Sequence, residues 1–273
     1  MTTQSTPIAL TIAGSDSGGG AGIQADLKAF SAHGVYGASV ITAVTAQNTQ
    51  HVTAVHPIPI DVVTKQIDAV LSDIEVDVIK IGMLFSSSLI EAVANAIRDF
   101  KGLVVLDPVM VAKSGDRLLQ EDAVSALKSA LIPRVDLLTP NLPEAAALLG
   151  DSSTAMPVVL QASNLLSLGA KNVLIKGGHG TEDVCSDLLL LQDEQVITLD
   201  TPRIATTNTH GTGCTYSSSI AACLAKGMSM AQAVTASNAY LHEAIIQADT
   251  LQIGQGHGPV HHFHHMWGQH GEA

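Results

Sequence analysis

Four short stretches of this sequence carry residue types that can act on a phosphate. The first, Gly14-Ser15-Asp16-Ser17-Gly18-Gly19-Gly20-Ala21-Gly22, holds five glycines in nine residues directly after an apolar run. Such a loop lets backbone N–H groups approach a ligand closely at a helix start. No Gly-Lys-Ser/Thr follows it and its spacing misses GxGxxG, so it is neither a Walker loop nor a dinucleotide fingerprint. A bare flexible turn is the plainer reading, and the glycine density after a strand favours a ligand contact.

The second stretch, Asn208-Thr209-His210-Gly211-Thr212-Gly213-Cys214, opens a helix of small residues. A helix start offers unpaired N–H groups and partial positive charge, enough to hold a phosphate or stabilise an oxyanion. Cys214 then falls in the first turn, where its thiol pKa is expected to drop. Most free cysteines are small buried hydrophobes; the position of Cys214 favours chemistry, whereas Cys185 and Cys223 read as packing residues.

The third group is a pair of acidic strand ends, Asp107-Pro108-Val109-Met110 and Asn141-Leu142-Pro143-Glu144. Singly, either carboxylate is a turn or cap residue. Together they suggest Mg²⁺ held by few carboxylates and nucleotide phosphates. The fourth, Lys176-Gly177-Gly178-His179, sets a lysine beside glycines, either as a point charge for phosphate or as a solvated turn residue.

These loops need strands to precede them, and periodicity supplies a strand–helix alternation. Apolar runs are expected as strands at 8–13, 35–46, 52–58, 78–81, 103–106, 135–138 and 173–175, with helical spacing at 23–33, 61–74, 87–100, 121–131, 142–149 and 156–168. Residues 184–191 and 195–199 flank Gln192-Asp193-Glu194 as an antiparallel hairpin, and helices near 213–225 and 230–248 follow. Runs such as Leu103-Val104-Val105-Leu106 are apolar throughout, as expected where helices cover both sheet faces. The expected fold is α/β: a doubly wound, mostly parallel central sheet flanked by helices, with an antiparallel edge hairpin, in a single domain over 1–273. Ligands in such sheets sit beyond the carboxyl ends of the strands, where all four stretches fall.

Composition removes several function classes. The chain has 13 Lys+Arg against 25 Asp+Glu, a net charge of −12, which makes it a poor binder of nucleic acid. Its longest stretch without Asp, Glu, Lys or Arg, 29–60, is interrupted by Gln47, Asn48, Gln50, histidines and threonines, so no membrane segment is expected. Neither a signal peptide nor a disulfide framework is read from Met1–Pro7 or the three cysteines, and a reduced cytoplasmic protein is expected. The histidine-rich tail after Gly256 is not read as a metal site.

At these same residues the sequence resembles the bacterial hydroxymethylpyrimidine/phosphomethylpyrimidine kinases of thiamine biosynthesis, within the ribokinase-like superfamily. The resemblance runs from Ala9-Leu10-Thr11-Ile12-Ala13-Gly14-Ser15-Asp16 to 254–264. It takes in Gln47-Asn48-Thr49, Ile79-Lys80-Ile81-Gly82-Met83-Leu84, Asp107-Pro108-Val109-Met110, Thr139-Pro140-Asn141-Leu142-Pro143-Glu144, Lys176-Gly177-Gly178-His179 and the 208–214 loop. It implies ATP- and Mg²⁺-dependent phosphorylation of 4-amino-5-hydroxymethyl-2-methylpyrimidine and then of its monophosphate, by a homodimer that binds neither nucleic acid nor membrane.

Carried over residue by residue, the resemblance gives Gln47 the pyrimidine, with Gly14, Ala21, Asp26, Met83 and Val109 lining the same pocket. Gly211, Thr212 and Gly213 become the anion hole for the transferred phosphate, with Lys176, Asn208 and Thr209 on the nucleotide side. Asp107 and Glu144 organise Mg²⁺, and Cys214 stands where sugar kinases carry an aspartate base. The segment Val111-Ala112-Lys113-Ser114-Gly115-Asp116 is expected to be a mobile loop over the site. A pyridoxal kinase, a non-catalytic nucleotide-binding regulator and an NAD-dependent oxidoreductase are the alternatives; the last lacks its glycine spacing.

Overall fold

The strands place every candidate loop along one edge of a single sheet. The computed structural model describes residues 5–110, 122–150, 155–178, 180 and 182–267; the expected mobile loop 111–116 and His179 lie outside them. Among the described residues nine strands are β1 Ile8–Asp16, β2 Tyr36–Gln47, β3 Val52–Pro57, β4 Val78–Ile81, β5 Leu103–Leu106, β6 Leu137–Leu138, β7 Val173–Ile175, β8 Val184–Leu190 and β9 Val196–Pro202. They lie in the order β3-β2-β1-β4-β5-β6-β7-β8-β9. The helices are α1 Gly22–Ala32, α2 Ile60–Leu71, α3 Ser87–Ala96, α4 Ala123–Ala126, α5 Leu142–Leu149, α6 Val158–Leu166, α7 Thr212–Ala225 and α8 Met230–Ile246.

The pairs from β2 through β7 are parallel, as expected of strands with crossover helices. The hairpin expected at 184–199 forms an antiparallel edge on β7, and its turn places Glu194 at φ 66°. The opposite edge carries a second antiparallel pair, which the expected topology left unspecified. β3 also pairs antiparallel, with β2, because only Asn48 to His51 separate the two strands and no crossover can fit.

Alternation along the strands sends side chains to two cores. Leu10, Ile12, Ile79, Ile81, Val104 and Leu106 face α2, α3, α5 and α6. Ala9, Val78, Val105, Leu137 and Leu174 face α1, α7 and α8, through Phe30, Tyr216, Ile220 and Val234 among others. The few aromatics foreseen from composition leave these cores aliphatic, which suits thin layers of Ala, Val, Leu and Ile. Among the described residues no helix is long and apolar enough to cross a membrane.

The segment after α8 returns across the sheet edge. Gly256 and His257 donate to Thr49 in the β2–β3 turn, and His210 pairs with Pro259 as an isolated parallel bridge. His262 then enters the interior at 4 % exposure, its Nε2 3.0 Å from Thr215 Oγ1, while Tyr240 donates to its carbonyl. Burial, helped by Lys28 and His261, holds the His262 pKa down at about 3.

That depression fixes the sign of a pH effect. The unfolded chain takes a proton on this ring near pH 6.5, whereas the folded chain does not, so stability is lost as pH falls from 6.5 toward 3. Between pH 6.5 and 4 the loss from His262 alone is about 3 kcal/mol. Urea unfolding of His262→Gln is expected to show a correspondingly flatter acid limb than the parent. Identical slopes would show that the ring is not held neutral in the fold.

Candidate active site

The glycine-rich loop is folded around one carboxylate. Asp16, the last residue of β1, accepts the backbone N–H groups of Gly18 at 2.8 Å, Gly20 at 3.1 Å and Ala21 at 2.9 Å. Its Oδ2 also lies 2.8 Å from His210 Nε2. Burial opposes the charge, but the His210 hydrogen bond and these amides outweigh it and keep the carboxyl below its usual range. Gly22 then starts α1 at φ +55°, where a Cβ would lie 2.3 Å from the Gly14 carbonyl oxygen. The loop thus folds back on its own strand.

The 208–214 loop meets it backbone to backbone. Gly211 caps α7 at φ +78°, and a Cβ there would sit 1.7 Å from the Gly20 carbonyl oxygen. A glycine cap brings no side-chain acceptor, and Thr212 N–H turns back to the Thr209 carbonyl. The N–H groups of Gly213 and Cys214 find no acceptor among the described residues. They are the open donors at the start of a 14-residue helix, and an anion is their natural partner.

Three charged side chains converge beside those donors. Lys176 Nζ lies 2.6 Å from Asp107 Oδ1 and 4.0 Å from Glu144 Oε2. A Cβ on Gly213 would be 3.4 Å from Lys176 Nζ and 3.5 Å from Asp107 Oδ2, which places the ammonium and carboxylate against the first turn of α7. The Thr139 and Ser217 hydroxyls lie 3.4 Å from the two Asp107 oxygens, each also within reach of a backbone carbonyl. Glu144 is set by a capping box: Asn141 Oδ1 accepts the Glu144 N–H, and Glu144 Oε2 accepts the Asn141 N–H, both at 2.8 Å. Burial raises the Glu144 pKa to about 7, against the pull of Lys176 and with the Asp107 charge adding to the rise.

One expected property is overturned. The first-turn position of Cys214 was expected to lower its thiol pKa; instead burial raises it to about 11. Lys80 pulls down, while Asp26 and Asp107 push up. Burial and two nearby carboxylates outweigh the partial charge of the helix start.

The other expected site residues fall into two sets. Gly14 packs on Met83, whose carbonyl accepts from Thr42, and Ala21 supplies one of the amides on Asp16. Gln47 ends β2 with its amide 3.4 Å from His210 Nε2, so Met83 and Gln47 flank the glycine loop to which Gly14 and Ala21 belong. Val109 stands on the other side, its N–H bonded to the Asp107 carbonyl. Asp26 lies below the loop at 0 % exposure, with both oxygens on Lys80 and further bonds from Thr11 and Ser218. Asn208 has its amide engaged on both sides, accepting from Gly258 N–H and donating to Asp249, and Thr209 offers its carbonyl to Thr212. Asn208 thus ties the loop to the returning tail, while Thr209 closes a turn within the loop.

Comparison with known proteins matches this geometry to a family. The family model for phosphomethylpyrimidine kinase matches residues 16–261. The hydroxymethylpyrimidine/phosphomethylpyrimidine kinase of Rhizobium meliloti is 54 % identical over 264 residues, covering 96 % of this chain and 99 % of that protein. Its Escherichia coli counterpart is 51 % identical, covering 95 % and 98 %. The chain belongs to the phosphomethylpyrimidine kinase family.

Among solved structures, the ADP complex of Bacillus subtilis pyridoxal kinase superposes with a TM-score of 0.85 at 36 % identity, covering 94 % of this chain and 98 % of that one. Phosphomethylpyrimidine kinase from Clostridium difficile gives 0.75 at 42 % identity over 87 % and 99 %. The fold is ribokinase-like, and this member of the phosphomethylpyrimidine kinase family is a kinase.

Three residues of this kinase were given no role in the sequence reading. Asp16 and His210 lie inside loops that were singled out, yet 194 positions separate them, and only the meeting of the loops pairs them. Lys80 sits in the quoted Ile79-Lys80-Ile81-Gly82 run. A lysine amid an apolar strand was the available signal: such a residue is either misassigned or paired, and here Asp26 is its partner.

Proposed function

We propose that this chain transfers the terminal phosphoryl group of ATP to 4-amino-5-hydroxymethyl-2-methylpyrimidine and then to the resulting monophosphate, the two kinase steps of thiamine biosynthesis. The observation that carries the reading is the convergence of Lys176, Asp107 and Glu144 on the open N–H groups of Gly213 and Cys214. Gln47 lies against His210 of the same loop. A phosphate held at the helix start is thereby next to an amide able to read an aminopyrimidine edge.

Asp107 and Glu144 fit Mg²⁺ in chemistry, being hard oxygen donors around one position that Lys176 now neutralises. They would hold the ion through oxygen or water contacts, and Mg²⁺ when bound supplies charge neutralisation across the phosphates. Lys176 and the two amides meet the negative charge that develops on the transferred group. Cys214 is held as a thiol at neutral pH, so the reaction leans on positioning and charge, and proton removal by this sulfur is the lesser contribution.

A homodimer and a cytoplasmic location complete the proposal. The family resemblance supports the first, and the free cysteines Cys185, Cys214 and Cys223 support the second. The solved pyridoxal kinases favour a second reading, phosphorylation of pyridoxal by the same apparatus. Higher identity to the pyrimidine kinases places it second.

The test is ADP release and product mass with the hydroxymethylpyrimidine, its monophosphate, pyridoxal and ribose in parallel. Phosphorylation of both pyrimidines is expected. Turnover of pyridoxal alone would overturn the reading, and no ADP from any of them would favour a nucleotide-binding regulator.

A further inference from the structure

His210 occupies a junction that the phosphoryl-transfer residues do not explain. Its Nε2 is 2.8 Å from Asp16 Oδ2 and 3.4 Å from the terminal amide of Gln47. The ring also fills the space beside Gly20, where a Cβ would meet Cδ2 at 2.3 Å. Asp16 already accepts three backbone N–H groups, so it is a pure acceptor held in its charged form. An imidazole nitrogen facing a carboxylate must carry a hydrogen, since the other neutral tautomer would set a lone pair against an anion. Nε2 is therefore a donor whether the ring is neutral or charged.

That requirement propagates to Gln47. A donor at Nε2 cannot pair with an NH₂ group, so Gln47 must turn its carbonyl Oε1 toward His210. The far side of the amide leads to the same orientation. The Thr45 hydroxyl lies 3.0 Å from the Ser15 carbonyl and 3.2 Å from the other terminal atom of Gln47. It has one hydrogen, which the Ser15 carbonyl can only accept. Thr45 Oγ1 is then an acceptor toward Gln47, and the atom facing it must be the amide nitrogen. With Gln47 turned this way, the single Nε2–H points to Asp16 with the Gln47 carbonyl as its longer second acceptor, and nowhere in the chain Asp16–His210–Gln47–Thr45–Ser15 do two donors oppose each other.

We propose that the Asp16–His210 pair is a positioning device that fixes which face of the Gln47 amide meets the substrate, and so sets selectivity for an aminopyrimidine. In the fixed orientation Gln47 keeps one N–H and one Oε1 lone pair for a ligand. An aminopyrimidine edge offers the complement, a ring nitrogen acceptor beside an exocyclic amino donor. Without the pair only the 3.2 Å contact to Thr45 Oγ1 holds the amide, and its turned-over orientation, which sets donor against donor toward the substrate, becomes accessible.

The inference rests on the pyrimidine reading above, and ADP release by the parent enzyme with the aminopyrimidine alcohol tests that reading separately. The test of the device is steady-state kinetics of His210→Ala and His210→Gln, with direct titration of the aminopyrimidine onto ATP-free enzyme. His210→Ala is expected to raise KM and the titrated Kd for the aminopyrimidine roughly tenfold. Its KM for ATP should stay put, and kcat should fall by less than about threefold.

His210→Gln, which can present an N–H in place of Nε2, should recover most of the lost affinity. Asp16→Asn should raise the aminopyrimidine Kd at least as much as His210→Ala, because it lets the ring take either tautomer and also gives up an acceptor of the loop amides. An unchanged aminopyrimidine Kd in His210→Ala would overturn the proposal. So would a loss shared equally by KM for ATP and kcat and not rescued by glutamine, since that marks His210 as loop packing alone.

Discussion

Lys80→Ala is expected to cost about 3–5 kcal/mol of unfolding free energy, read from urea denaturation at neutral pH. Lys80 lies in β4 at 0 % exposure, and its ammonium is 2.8 and 2.9 Å from the two oxygens of Asp26, also at 0 %. Burial alone would strip the proton from such a lysine, but the Asp26 carboxylate outweighs it and raises its pKa. Thr11 and Ser218 donate to the same carboxylate, so α1, β1, β4 and α7 are joined by one charged cluster.

Removing the lysine leaves an anion in the interior with two hydroxyl partners and no counter-charge. The penalty comes from that stranded charge more than from the pair's own strength. The double variant Lys80→Met with Asp26→Leu should therefore recover much of the loss. A single-variant cost under about 1 kcal/mol would place the pair in the solvated class and refute this account.

Gly211→Ala is the substitution expected to damage turnover most, by about a hundredfold in kcat. A methyl group at this site would lie 1.7 Å from the Gly20 carbonyl oxygen and 2.8 Å from its carbon. Both are backbone atoms and cannot swing aside as a side chain end would. The loops must part, carrying the Gly213 and Cys214 amides away from Lys176. A shift of about 1 Å at an oriented donor is enough for a loss of this size.

Gly227→Ala is the matching control. Its φ of +82° is similarly left-handed, but nothing lies within 4 Å of the added carbon. It should lower stability by about 1 kcal/mol and leave kcat alone. Equal kcat in the Gly211 variant and the parent would show that the two loops need not touch.

The strands and most helices were legible because their patterns are local. Val78–Ile81, Leu103–Leu106, Leu142–Leu149 and Val173–Ile175 form within the expected limits, each bounded by a turn signal or a cap. The first edge pairing was not anticipated, because direction depends on the four-residue connection between β2 and β3 rather than on either strand's own pattern. Loops that bear chemistry were likewise visible as glycine clusters and strand-end acids. Their mutual wiring was not: the Asp16–His210 and Lys80–Asp26 contacts span 194 and 54 positions. The Cys214 thiol was misjudged for the same reason. Helix position is local information, whereas burial and the neighbouring carboxylates come from the assembled fold.

The tail that clasps the β2–β3 turn has a consequence for how the molecule is made. His210 is bonded forward to Gly258 and Val260, and Gly256 reaches back 207 positions to Thr49. A chain emerging from the ribosome can pair its early strands long before these last residues exist. The 208–214 loop, braced on one side by residues 14–20 and on the other by 249–260, gains its second brace only when synthesis has passed that point. Until then a nascent chain has its sheet but not the settled 208–214 loop, so the meeting of that loop with residues 14–20 is a late event of biogenesis.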